Sequence, residues 1–348
     1  MKKQKYLKAT ALACLALTFP LLAQNVAPHE HPGFLDYFLG DGDAEFVCYS
    51  KIHRNFFLVI FLFGLAVAIG IYRGYRIKKK TAEELAEKNQ LIEEQNKDIT
   101  DSMRYARRLQ EAVLPDHAEI NRLFGQNFVY CKPRDIVSGD FYWAAERNGK
   151  QILAVADCTG HGFPGAFLSI IGHLALNKAV NEEGHTDPSR ILDVMNTVVK
   201  NTLGQGAEFE RVADGMEVGI CVLDKTNMQL EFAGAGRYLL VSKKGNIEEI
   251  KGDKCSVGSH QPHVSGAPKT HLVKLDAGDS FYLGSDGITD QFGGQEGKKF
   301  GRKALTAMLA EVSGRSIAEQ KTVIDQKLDG WKGTHAQTDD MMLVGVQV

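Results

Sequence analysis

Five aspartates, Asp140, Asp157, Asp286, Asp339 and Asp340, stand at the start or end of short apolar runs, and all but Asp157 lie beside a glycine or another aspartate. Asp157 closes the run Ile152-Leu153-Ala154-Val155-Ala156 and opens Cys158-Thr159-Gly160-His161-Gly162. An aliphatic run ending in Asp is the pattern of a buried strand that brings one carboxylate to the edge of a sheet. Beyond the two glycines, Pro164 suits a first helical position, and Phe167, Leu168, Ile170, Ile171 and Leu174 recur at helical spacing. A helix start offers free N–H groups to an anion, and the carboxylate suits a hard cation that prefers oxygen ligands. Taken alone, the same Asp serves equally well as a helix cap or an Asx turn.

The other aspartates share that setting. Asp140 lies in Val137-Ser138-Gly139-Asp140-Phe141-Tyr142-Trp143, Asp286 in Gly284-Ser285-Asp286-Gly287-Ile288-Thr289-Asp290, and Asp339-Asp340 before Met341-Met342-Leu343-Val344. Gathered into one pocket, such carboxylates repel by ~4 kcal/mol per pair at about 4 Å with an effective dielectric near 20. Divalent cations offset that repulsion. Four carboxylates balance two divalent ions, leaving a site able to bind a phosphate dianion and an activated water. Asp214 in Ala213-Asp214-Gly215-Met216 and Asp290 read as turn or support residues.

The elements that must position these groups can be read from patterning. Strands are expected at 128–132, 140–145, 151–157, 217–223, 229–233, 238–242, 271–275, 280–283 and 341–348, and helices at 163–181, 188–203, 301–312 and 316–331. Strand runs separated by helix pairs predict sheets covered by helices, an α+β layered domain.

The ordered series Arg-Asp-Ile-Val-Ser-Gly-Asp-Phe-Tyr-Trp, Ala-Asp-Cys-Thr-Gly-His-Gly, Gly-Ser-Asp-Gly-Ile-Thr-Asp and Thr-Asp-Asp resembles the PPM-type (protein phosphatase 2C-like) serine/threonine phosphatases, in particular their bacterial SpoIIE-like sigma-regulator branch. The resemblance extends over about 103–348. It implies an α-β-β-α sandwich of two antiparallel sheets and two Mn²⁺ or Mg²⁺ ions held by Asp140, Asp157, Asp286, Asp339 and the backbone carbonyl of Cys158. Asp340 is then a neighbour of the ions rather than a ligand. The implied reaction is direct hydrolysis of phosphoserine or phosphothreonine by a metal-activated water, with an anti-anti-sigma-like protein as the substrate class. His161 is either the proton donor to the leaving group or a turn-stabilising residue, and Arg134 either holds the phosphate bidentately or lies in a surface loop. Two rival readings are a catalytically silent interaction module and another two-metal hydrolase such as a nuclease or a small-molecule phosphatase. A scaffold has no reason to keep mutually repelling carboxylates, and a net charge of −2 without a basic, aromatic-interleaved patch argues against a nucleic-acid surface and so against the nuclease. No Walker or kinase-type glycine loop is present. The six cysteines show no C-x-x-C spacing, and His260 and His263 read as a surface loop.

Ahead of the domain, Lys2, Lys3, Lys5 and Lys8 precede an apolar run over 9–23, a signal sequence cleaved after Ala23 or an uncleaved signal anchor. Residues 24–55 read as a short non-cytoplasmic segment. The charge-free run 56–72 has the composition of a transmembrane helix, and Arg73, Arg76, Lys78, Lys79 and Lys80 place the downstream chain on the cytoplasmic side of a bacterial inner membrane. Residues 73–114 form a linker helix, and 115–348 the catalytic domain. Leu85, Ile92, Ile99, Ala106 and Val113 recur every seven residues, with Ala82, Asn89, Asn96, Met103 and Gln110 on the companion seam, the pattern of a parallel coiled-coil homodimer weakened by polar residues. Inserting one residue near Lys97 rotates the downstream helix face by about 100°, and inserting seven restores the phase. Phosphatase activity of the full-length protein in membranes is expected to change strongly with the first insertion and little with the second. Equal activity in both and in the parent would reduce the helix to a tether.

Overall fold

The computed structural model describes residues 44–114, 117–203, 214–258 and 267–348, and the chain separates into two compact units between Glu93 and Glu94. The expected signal sequence, residues 24–43 of the segment after it, and His260 and His263 lie outside the described residues. Helix α1 (Ala44–Val113) begins in the first unit. There its apolar residues stand exposed, including Phe56, Phe57, Phe61 and Phe63, and an 18-residue window reaches a mean hydropathy of 2.4 with none of it buried. Leu85 and Ile92 of the heptad series are exposed as well. A second apolar helical stretch, Phe163–Glu182, is 61% buried, as a core helix is.

The second unit holds the end of α1 and a four-layer sandwich. Helix α2 (His117–Phe124) leads into β1 (Asn127–Lys132), β2 (Phe141–Arg147) and β3 (Lys150–Cys158), followed by α3 (Phe163–Leu176), a π-helical turn (Asn177–Glu182) and α4 (Pro188–Thr202). Then come β4 (Met216–Asp224), β5 (Gln229–Ala235), β6 (Tyr238–Lys243), β7 (Asn246–Lys251), β8 (His271–Lys274), β9 (Ser280–Gly284), the single turn α5 (Gly287–Asp290), the hairpin β10 (Phe292–Gly293) and β11 (Lys298–Lys299), α6 (Gly301–Val312), α7 (Ile317–Lys332) and β12 (Met341–Gln347). One sheet has the order β2-β3-β4-β5-β8 and the other β1-β12-β9-β6-β7, each antiparallel throughout.

Side-chain alternation along the strands builds the layers. In β3, Leu153 and Val155 face the other sheet and meet Phe281, Leu283, Met342 and Val344, while Ile152, Ala154 and Ala156 pack under α3 and α4 with Leu176, Ile191 and Met195. The opposite faces of β1, β9 and β12 are covered by Leu305 and Leu309 of α6 and Ile324 and Leu328 of α7. Asp187, accepting from the N–H groups of Ser189 and Arg190, caps α4, and a Ser316/Glu319 capping box starts α7.

The expected strands and helices are present with boundaries shifted by a few residues. The short elements α2, α5, β10 and β11 are not among those expected, and three further differences have a physical reason. Strand β7, Asn-Ile-Glu-Glu-Ile-Lys, is an edge strand whose charges hid it, as edge strands often carry charge against further pairing. The helix expected over 163–181 gives way at Asn177 to the π-helical turn, where Asn177 Oδ1 accepts from Trp143 Nε1 and Asn181 Nδ2. The third difference concerns the seam of α1. Gln110 is 6% exposed and turned into its own domain, donating to the Ser138 carbonyl at 2.6 Å and to Ser169 Oγ at 2.8 Å, so this seam position does not face a partner helix. A buried side-chain amide must find such partners, and the loop before Asp140 supplies them.

Candidate active site

The site lies where strands of both sheets end on one side. Asp157 is the penultimate residue of β3, Asp140 directly precedes β2, Asp286 lies two residues beyond the end of β9, and Asp339 and Asp340 lead into β12. Antiparallel pairing sets Phe141 opposite Ala156, which brings Asp140 beside the end of β3. Asp157 caps no helix: the cap position of α3 is Gly162, without a side-chain hydrogen bond. The alternative of a capping Asp is therefore closed.

Close backbone packing draws the loops together. A Cβ on Gly287 would collide with the Asp340 carbonyl oxygen, and one on Gly139 would lie 2.9 Å from the Gly160 carbonyl oxygen. Only glycine lets the Asp286 loop approach Asp340 and the Asp140 loop approach the turn after Asp157. Asp340, 3% exposed, accepts from the N–H of Arg134 and of Gly139, both at 2.7 Å, and so clamps the loop that ends in Asp140. Gln291 holds the segment before it, donating to the Ala336 carbonyl at 3.0 Å and accepting from the Thr338 N–H at 3.2 Å.

Exposure is graded across the cluster. Asp140 is buried, Asp157 partly so, and Asp286 and Asp339 stand at the solvent rim. Burial first, with the Asp157 and Asp340 charges adding to it, holds the Asp140 carboxyl well above the usual carboxylate range. Burial raises Asp157 to about 7, Arg237 acts against that rise, and the Asp286 charge adds to it. Asp339 is raised by burial and by Asp286 and Asp340, against a hydrogen bond from the Asp340 N–H. These are the marks of carboxylates sharing one field without enough positive charge. The Asp286 N–H points at Asp157 Oδ2 from 3.4 Å.

Cation-binding chemistry fits the donor set. It consists of carboxylate oxygens, with the Cys158 carbonyl at the same turn, and Asp140 Oδ2 is buried with no hydrogen-bond partner among the described residues. Such an oxygen is costly to leave unpaired and suits a hard cation. As they stand, no three His, Cys, Asp or Glu side chains among the described residues are drawn into a finished cage. Burial pushes the Cys158 thiol well up, so it is inert packing.

His161 Nδ1 lies 2.9 Å from Asp135 Oδ2 at a half-exposed position, a His-carboxylate pair beside Asp339. Arg134 is exposed, and its Nη1 donates to the Thr338 carbonyl at 3.1 Å. Asp290 pairs with Lys299 Nζ at 2.7 Å, a support role on the hairpin. Sequence reasoning missed Asp135, Glu217, Arg237, Gln291 and the inward role of Gln110. The Arg134-Asp135 and Gly236-Arg237 dipeptides were visible signals, whereas no local pattern distinguishes Glu217 or Gln291.

The family model for stage II sporulation protein E (SpoIIE) matches residues 147–348. The chain belongs to the SpoIIE family. Among solved structures, the SiaA-PP2C domain of Pseudomonas aeruginosa is similar at 32% identity and a TM-score of 0.66, over 73% of this chain and 97% of that one. The PP2C phosphatase domain and regulatory-domain fragment of the cell fate determinant SpoIIE from Bacillus subtilis shares the fold at 17% identity and a TM-score of 0.53, over 64% of this chain and 63% of that one. No curated protein sequence matches the chain. This SpoIIE-family chain is thus a PPM-type protein serine/threonine phosphatase.

Replacing Asp340 by Ala leaves the N–H groups of Arg134 and Gly139 without their carboxylate acceptor. The expected loss of stability is about 2–4 kcal/mol, the scale of charge-assisted hydrogen bonds removed from a buried donor pair. Urea unfolding of the parent and the variant checks it, and an unchanged midpoint and slope would deny Asp340 the clamping role.

Proposed function

We propose that the chain is a membrane-tethered, divalent-metal-dependent protein serine/threonine phosphatase whose catalytic domain, residues 115–348, works in the cytoplasm on a phosphorylated regulatory protein of the anti-anti-sigma-like class. The observation that carries the metal dependence is the orphaned, buried Oδ2 of Asp140 within a cluster of mutually raised carboxylates. Asp140, Asp157, Asp286, Asp339 and the Cys158 carbonyl would hold two ions, Mn²⁺ or Mg²⁺. When bound, the ions supply charge neutralisation and an activated water for attack on phosphorus. Asp340 keeps the Asp140 loop in place, and Arg134 at the rim has guanidinium donors left for a phosphate. His161, oriented by Asp135, stands ready to give a proton to the departing seryl oxygen. Membrane attachment rests on the exposed apolar run of α1 and the basic residues after it.

Phosphate release from phosphoserine peptides by the purified chain is expected only with Mn²⁺ or Mg²⁺, and Asp157→Asn should lower turnover by at least about a hundredfold, as removal of a metal-side charge does. Activity that survives a chelator would sink the two-metal reading, and near-parent turnover of Asp157→Asn would remove Asp157 from it.

The topology has its own test. Protease added to intact cells is expected to leave residues 115–348 whole. Their digestion under those conditions would put the domain on the other side of the membrane.

A further inference from the structure

Arg237 sits among the aspartates, in the link between β5 of one sheet and β6 of the other, and is 5% exposed. One atom, Nη2, faces three carboxylates: Glu217 Oε2 most closely, Asp157 Oδ2 at 3.2 Å and Asp286 Oδ2 at 3.4 Å. Nη2 carries two N–H groups, so three carboxylates compete for two protons. At the other end of the guanidinium, the buried Nε–H has no partner among the described residues. The group is oversubscribed on one side and unpaired on the other, which is a poor final resting state for a buried arginine.

Glu217 has a built position. It stands opposite Asp157 in the β3–β4 register and passes over Gly236, where a Cβ would lie 2.5 Å from Glu217 Cδ. Gly236 also has φ 76°, a conformation open to glycine at little cost. Charge balance points the same way. Two divalent ions balance the four aspartates Asp140, Asp157, Asp286 and Asp339, so of the three carboxylates that face Arg237 only Glu217 is then left to pair with it.

We propose that Arg237 is the resident counter-cation of the metal-free site and that Glu217 is the anchor to which its pairing passes when divalent ions take Asp157 and Asp286. Arg237 and Glu217 then act as positioning residues that set the affinity for the ions: the guanidinium competes for the carboxylates, and Glu217 draws it aside. This rests on the reading of the aspartates as ion ligands.

Calorimetric titration of Mn²⁺ into the chelator-treated full-length protein in detergent tests it. Arg237→Gln is expected to bind Mn²⁺ on the order of tenfold more tightly, because one unit charge is removed from within a few ångströms of the ions. Its metal-free thermal midpoint should fall, since the repelling carboxylates lose their counter-ion, and Mn²⁺ should restore it. Glu217→Gln, a change at a half-exposed side chain, is expected to weaken binding on a similar scale, and only while Arg237 is present, so that the double variant binds like Arg237→Gln. Arg237→Lys keeps the charge and should stay within a few-fold of the parent, which separates loss of charge from loss of fold. Unchanged or weaker binding by Arg237→Gln overturns the proposal, as does an equal weakening by Glu217→Gln in the Arg237→Gln background, which would make Glu217 a direct ion ligand. A parent protein that binds no Mn²⁺ overturns the aspartate reading itself, and this inference with it.

Discussion

Mutual repulsion among the aspartates at the open end of the sandwich is the constraint that the surrounding structure is arranged to withstand. Asp140 and Asp157 are removed from most of the water that would screen them, and their carboxyls are raised accordingly. In the protein alone, the opposing contributions are modest: N–H groups donated to carboxylates, one buried guanidinium, and backbone packing tight enough to forbid retreat. Asp340 illustrates the logic, since its own charge is spent on two N–H groups of the Asp140 loop. It therefore supports the cluster mechanically while adding to its negative potential.

The sandwich supplies rigidity where the loops cannot. Leu153 and Val155 of β3 interlock with Phe281 and Leu283 of β9 and with Met342 and Val344 of β12, so the strands that carry Asp157, Asp286 and Asp339 share one core. A carboxylate at the end of a strand packed on both faces has little freedom to drift. Helices α3, α4, α6 and α7 cover the outer faces, and β7 and β8 close one side with exposed, charged edges.

Gln110 links α1 to the same machinery. Its amide bridges the Ser138 carbonyl and Ser169 Oγ, and Ser138 Oγ in turn accepts from the Asp140 N–H at 3.1 Å. Displacement of the helix end would be felt two residues from a site aspartate. The heptad-spaced residues Leu85, Ile92 and Ile99 are exposed.

Much of this was legible in the sequence because the signals were local. A continuous aliphatic run ending in Asp157 marked β3, helical periodicity and Pro164 marked α3, and Gly-Asp, Asp-Gly and Asp-Asp beside apolar runs marked the other three site loops, at Asp140, Asp286 and Asp339-Asp340. The ordered motifs also pointed to the phosphatase family. By itself the sequence thus determined the α+β layering, the family and the aspartates as candidates, since each depends on neighbours within a few residues. Tertiary structure alone decided that Asp157 caps nothing, that Asp340 clamps a loop 201 residues away in the chain, that Gln110 turns inward and that Arg237 and Glu217 join the acidic cluster. Those outcomes depend on which strand ends meet across two sheets, and a buried charge or amide takes whatever partner the packing brings, which no local pattern encodes.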